Sequence, residues 1–338
     1  MRATLGEGNT PLVESVQIGP SLGMGRLWFK LEICNPSGSY KDRFIAGEVT
    51  RMLDAGARAC VATSSGNTGS ALAAYSARYG IACAIVVNQH APAGKLAQMK
   101  AHGAQVIRVE DFVTSAVVTA RAFEALQHLA ATRGIPLVVS AYRYCPVGMA
   151  CVESIGRELR AQCAPAHVFV PVGGGGLFTA VCRGLAGSGV RVHAVQPEGC
   201  STVVAAFARG DSEIRPVRST TRVSGLAVPF DIDASLALGR LREFGGLGIA
   251  VSDDEVFEAQ RMMLDTEGIY CEPAGSTALA GLRKALREGL VDKNEPAVCL
   301  VTGHGFKDPD SIAEAAARRP DALIPVDALP RYLEDLIQ

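Results

Sequence analysis

From residue 27 to residue 301 the chain keeps returning to one pattern: a short apolar run, a loop of small residues, then a stretch of helical periodicity. Strand candidates fall at 27–31, 59–62, 82–87, 105–109, 137–139, 168–172, 192–195 and 297–301. Helical patterning fills 42–55, 69–79, 94–102, 115–132, 149–161, 179–186, 253–267 and 276–288. Strands that alternate with helices imply an α/β protein with mainly parallel sheets. The length, 338 residues, allows two domains around separate cores.

Charge narrows the partners. The 33 basic and 34 acidic residues give a net charge of −1 with no polybasic cluster, which argues against nucleic acid and anionic membrane. Ten cysteines are scattered without a CxxC pair, and Cys83 and Cys299 lie inside apolar runs, where thiols act as small core hydrophobes. Their spacing supports neither a disulfide framework nor a zinc site, so no metal is expected. The first residues, MRATLGEGNTP, lack an apolar signal core, and no stretch approaches a membrane span. A reducing cytoplasm is the expected location.

Four loops carry the residue types that chemistry needs. Lys41 follows the turn Asn35-Pro36-Ser37-Gly38 and falls in the first turn of a helix, whose positive end disfavours an ammonium and favours a nucleophilic amine. A lysine at that place also suits a plain solvated helix start. The run Thr63-Ser64-Ser65-Gly66-Asn67-Thr68-Gly69 lies between a strand and an Ala-rich helix, offering hydroxyls and N–H groups to a carboxylate, or simply a helix cap. Gly173-Gly174-Gly175-Gly176-Leu177 follows a strand and lets the backbone close round a phosphate. A dinucleotide fold competes for this loop, with Glu198 as its ribose acid, but Phe178 stands at the third glycine position. Thr302 ends a strand where ligand-facing side chains collect, and His304, beside a glycine turn, reads as structural.

Together these segments resemble the fold type II pyridoxal-phosphate enzymes, relatives of the tryptophan synthase β subunit. GEGNTPLVE, KLEICNPSGSYKDR, SSGNTGSALA, PVGGGGL, GIYCEPAGSTALAG and VTGHGFKDP occur in the family's order across residues 6–309. The first, fifth and last of these are most similar to threonine synthases. The resemblance implies two open twisted-sheet α/β domains with pyridoxal 5′-phosphate between them, a larger one of 1–45 and 155–338 and a smaller, mobile one of 46–154. It further implies Lys41 as the Schiff-base and catalytic lysine, and Asn67 on the cofactor's ring hydroxyl. Gly173, Gly174, Gly175, Gly176 and Leu177 would hold its phosphate, and Thr302 would face the pyridine nitrogen. Ser64, Ser65, Gly66 and Thr68 would receive the substrate carboxylate.

Arg143 is the candidate for a substrate phosphate, although the stretch 140–148 departs from the threonine-synthase pattern: Arg143 is displaced and Cys145 stands in the expected place. The all-glycine phosphate loop is closer to cysteine synthases and dehydratases. The expected activity is a threonine-synthase-like lyase, acting by elimination or replacement on a hydroxy or O-activated amino acid, with a small nucleophile and as a homodimer. β-Replacement on serine, O-phosphoserine or an O-acylserine is the alternative, then serine or threonine dehydration. A nicotinamide oxidoreductase and a non-catalytic cofactor-binding protein stand further off.

Overall fold

A computed structural model of the chain describes residues 2–91, 93–112, 115–319 and 321–337. Its strands are β1 Leu12–Glu14, β2 Leu27–Leu31, β3 Ala59–Ala62, β4 Ala82–Asn88, β5 Gln105–Val109, β6 Leu137–Val138, β7 His167–Pro171, β8 Arg191–Pro197, β9 Gly248–Val251 and β10 Ala297–Val301. They form a six-stranded sheet in the order β1-β2-β10-β7-β8-β9 and a four-stranded sheet in the order β5-β4-β3-β6. Every neighbouring pair is parallel except β1–β2.

The apolar runs explain the layering. β7 and β10 are buried at every residue, as strands covered by helices on both faces must be. Alternate side chains of β7 serve different cores. Val168 and Val170 join a cluster that continues through Phe44 and Ile45 of the helix Lys41–Asp54 to Cys60 and Ala62 of β3. Phe169 faces the other way, towards Leu279 and Cys299. One core therefore packs both sheets against the helix that begins with Lys41.

The strand order decides which loops meet. β2, β10 and β7 are neighbours, so their carboxyl ends bring together the 35–41 turn, Thr302 and the glycine loop. In the second sheet β3 and β6 are neighbours, and their ends lead into 63–69 and 140–145. β3 and β6 also flank the point where that sheet's order reverses, the usual place for a ligand crevice in open α/β sheets.

The structure corrects some expectations. Residues 149–161 do not form one helix: Pro146–Val152 and Ser154–Gln162 are separate, divided at Glu153. There the backbone of Gly184 comes so near that a Cβ on it would lie 2.1 Å from the Glu153 carbonyl oxygen. β1 and β9 add edge strands that the sequence pattern does not show, and helices also form at Val203–Arg209, Ala234–Glu243, Pro309–Ala316 and Leu329–Ile337. Among the described residues no helix is long and apolar enough to cross a membrane.

Candidate active site

One cavity of about 900 Å³ opens between the two sheets. Its walls include Lys41, Ser64, Ser65, Gly66, Asn67, Thr68, Arg143, Gly173, Gly174, Gly175, Gly176, Leu177 and Thr302, so every residue singled out from sequence as a site residue reaches the same space. Glu198 is not on that wall; it lies on the surface beside Lys284, which removes the ribose acid from the dinucleotide reading. His304 is also absent from the wall. Its ring packs between Tyr270 and Phe306, and its Nδ1 accepts the Phe306 N–H, the geometry of a turn support.

Lys41 is the first residue of the helix Lys41–Asp54, and its Nζ donates to Ser140 Oγ at the end of β6. The turn before it is braced from several sides. Asp42 accepts from the Ser37 N–H and hydroxyl at 3.1 and 2.8 Å. Arg43 meets Glu32 at 2.7 Å and also pairs with Glu158, while Lys30 reaches Glu158 at 2.7 Å. Burial tends to raise the Glu158 carboxyl, but the Arg43 and Lys30 hydrogen bonds overcome it and hold the group at about 2. Removing one member of such a buried pair leaves an uncompensated charge, at a cost of about 3–5 kcal/mol. The helix carrying Lys41 is thus fixed at its start.

The glycine loop is shaped by close approach. Gly175 has φ +96°, and a Cβ on it would lie 2.5 Å from the Asp233 carbonyl oxygen, so the position admits glycine on both counts. Gly175 is also the N-cap of the helix Gly176–Gly184 and brings no side chain to satisfy the first N–H groups, which leaves them for an anion. Across the cavity Thr302 is 4% exposed and anchored through its carbonyl to the Tyr40 N–H at 3.2 Å. It presents a neutral hydroxyl.

Several groups escape the sequence reading. Glu272 is buried and accepts from Asn67 Nδ2 at 2.8 Å, and burial raises its carboxyl. Lys307 is buried too; burial pulls its ammonium down to about 8, against the opposing pull of Glu272 and Asp42. Burial likewise raises Asp42 to about 6. Lys95 pairs with Asp308 at 3.3 Å and reaches Ser224, while Lys307 donates to Gln98 Oε1 at 2.6 Å. These contacts run from the helix Ala93–Ala101 to the six-stranded side. Glu272 and Lys307 sit inside CEPAG and GFKDP, and those motifs were the only signal that marked them.

An amine at a helix start, a phosphate-sized glycine loop at a second helix and a hydroxyl at a strand end, all on one cavity, define a protein built to hold a phosphorylated aromatic aldehyde. The loop admits a phosphate because a side chain would fill it, and the amine can bond the aldehyde. Residues 3–303 match the family described as pyridoxal-phosphate dependent enzyme, and the chain belongs to that family, whose cofactor is pyridoxal 5′-phosphate. It is 34% identical to the threonine synthase of Methanocaldococcus jannaschii, over 98% of this chain and 83% of that protein. With the threonine synthase of Methanosarcina acetivorans it shares 32% identity over 92% of this chain and 78% of the other. Threonine deaminase isoform 2 from Solanum lycopersicum has the same fold, with a TM-score of 0.77 at 19% identity, covering 92% of this chain and 88% of that one.

Proposed function

We propose that the enzyme is a threonine-synthase-like lyase that takes O-phosphohomoserine, a phosphorylated hydroxy amino acid, with water as the nucleophile. The observation that carries this reading is the single cavity shared by Lys41, the glycine loop, Thr302 and Arg143, in a chain similar to threonine synthases over nearly its whole length.

When bound, pyridoxal phosphate supplies an electron sink that acidifies the substrate Cα–H and eases loss of a leaving group. The chain's residues do the rest. The N–H groups at the start of Gly176–Gly184 and the helix dipole would hold the cofactor phosphate. Lys41 is the amine that anchors the cofactor, and once free it moves protons at the substrate carbon. Ser140, the partner of Lys41 Nζ, orients that amine. Asn67, whose Nδ2 already donates to Glu272, would offer its remaining amide hydrogen to the ring hydroxyl. Thr302 would offer the ring nitrogen a hydroxyl rather than a carboxylate and so would not hold it protonated. Ser64, Ser65, Gly66 and Thr68 receive the substrate carboxylate.

Arg143 is exposed on the cavity wall with its guanidinium 5.8 Å from the centre of the Tyr144 ring, and it makes no ion pair among the described residues, which supports its reading as the partner of the distal phosphate. Cys145, by contrast, is 3% exposed in the core and off the wall. A doubly charged group left unpaired in a closing site costs several kcal/mol. A cytoplasmic homodimer belongs to the same reading, supported by family resemblance and by ten free thiols. So does the division into 1–45 with 155–338 and 46–154, supported by the placing of all of β3, β4, β5 and β6 in the second span.

The test is a panel of O-phosphohomoserine, O-phosphoserine, O-acetylserine, serine and threonine, each with and without an added nucleophile. Lys41→Ala serves as the inactive reference. We expect O-phosphohomoserine to turn over fastest, and Arg143→Ala to slow it about tenfold or more relative to free threonine. Fast turnover of O-acetylserine that needs a nucleophile, beside inert O-phosphohomoserine, overturns the substrate and leaves the cofactor chemistry.

A further inference from the structure

Asp233 belongs to none of the motifs, yet it touches the glycine loop and the turn that carries Arg143. It is 2% exposed. Its Oδ2 accepts the Tyr142 N–H at 2.7 Å and its Oδ1 the Arg143 N–H at 3.3 Å. Those two N–H groups belong to a turn closed elsewhere, by the Tyr144 and Cys145 N–H groups donating to the Ala141 carbonyl at 3.2 and 2.8 Å. Successive backbone N–H groups in a turn make a small seat for an anion. Here the chain fills that seat with its own carboxylate.

The same residue grips the phosphate loop. Its N–H donates to the Gly174 carbonyl at 2.9 Å, and a Cβ on Gly176 would stand 2.9 Å from its Oδ2. Asp233 is also the N-cap residue of the helix Ala234–Glu243, the position where an aspartate ordinarily bonds its own helix. Its side chain makes no such bond; it is directed to residues 142 and 143 instead. Tyr142 has its side chain fixed, the hydroxyl 3.1 Å from Glu153 Oε1 and Arg183 4.1 Å above the ring. Arg143 is the residue of the pair left to face the cavity.

We propose that Asp233 is a positioning residue for Arg143: by seating the turn against the glycine loop, it fixes where the guanidinium meets a distal anion and so sets the preference for a phosphorylated substrate. This rests on the reading of Arg143 as the arm for that anion. The effect is one of selectivity, carried through Arg143 and not through the fold.

The experiment measures kcat and KM of the holoenzyme for O-phosphohomoserine and for free threonine. The proteins are wild type, Asp233→Asn, Arg143→Ala and the double variant, and the selectivity is the ratio of the two kcat/KM values. Asparagine keeps the shape but offers one acceptor atom where aspartate offers two, and sets an NH2 donor against one of the two N–H groups. It is expected to lower selectivity about tenfold, mainly through KM for the phosphorylated substrate. In the Arg143→Ala background it should lower it no further. Binding of inorganic phosphate to the holoenzyme gives a reading that needs no turnover, and it should weaken alike in both single variants.

If Asp233→Asn acts as strongly without Arg143 as with it, or slows both substrates equally, Asp233 is only a structural prop and the proposal fails. If Arg143→Ala itself leaves selectivity and phosphate binding unchanged, the reading of Arg143 fails first and takes the proposal with it. Asp233→Glu is the second variant should the asparagine protein not fold. It keeps the charge but lengthens the arm, and wild-type selectivity in it would overturn the proposal.

Discussion

Glu272 illustrates what a residue can hide from a local reading. In the sequence it is a polar letter ahead of a helix that starts with Pro273, a place where acids are common and mostly solvated. In the fold it is 8% exposed and bonded to Asn67, and the chain just beyond β10 passes directly over it. Gly303 allows that passage: a Cβ there would lie 2.1 Å from Glu272 Oε1 and 3.0 Å from Asn67 Nδ2. Gly303→Ala is therefore expected to part the pair and to slow turnover about 100-fold, the order of loss that a 1 Å misplacement brings. The visible absorbance of the bound cofactor should change with it. An alanine protein with native spectrum and rate would place the Asn67–Glu272 contact outside the chemistry. Lys41, Thr302 and the glycines are legible because each lies in, or at the helix start just beyond, a loop that follows an apolar run. Lys307 and Asp233 are not, since their burial comes from which loops the topology brings together.

Among the elements, the strands were the easiest to read. β2, β3, β10 and the half-exposed edge strand β5 have the bounds expected from sequence, and β4, β7 and β8 differ only at their ends. β1 has three residues, too few to carry a period, and pairs antiparallel at an edge; β9, four residues like β3, opens on a glycine just after Gly245-Gly246 and so reads as a turn. The split at Glu153 falls where the backbone of Gly184, some thirty residues on, passes close by, and it has no local mark. The glycine loop makes a prediction at this scale. Gly175→Val meets both a φ of +96° and the Asp233 backbone at 2.5 Å, so the loop must move. Such strain costs about 1–3 kcal/mol. We expect cofactor retention through dialysis to fall at least about tenfold while the far-ultraviolet dichroism stays native. Full retention would show that the phosphate is held elsewhere.

At the scale of the whole molecule, acid stability has an identifiable contributor far from the cavity. The Leu247 N–H donates to His193 Nδ1 at 3.0 Å, so neutral His193 carries its proton on Nε2 and gives it to His167 Nδ1 at 2.8 Å. His167 Nε2 then faces Glu295 at 2.7 Å, with Arg191 alongside. Burial, then the neighbouring His167 and Arg191, lowers His193 to about 3, and burial lowers His167 as well. An unfolded histidine titrates near about 6.5. Between that value and about 3 the unfolded chain binds a proton that folded His193 refuses, so stability falls as pH falls through the window. The slope is about 1.4 kcal/mol per pH unit for one such group. His193→Gln should flatten the urea midpoint's dependence on pH between 6 and 4, and an unaltered slope would assign the acid sensitivity to other groups. The arrangement of the two sheets has a further consequence. The amine, the glycine loop and Thr302 hang from one sheet, while the 64–68 loop and Arg143 hang from the other. On the proposed reading, most of the grip on the cofactor and most of the grip on the substrate are thus separate parts, and drift in the loops after β3 and β6 that spares Asn67 and Ser140 would retarget such an enzyme to a new amino acid while its anchor stays as built.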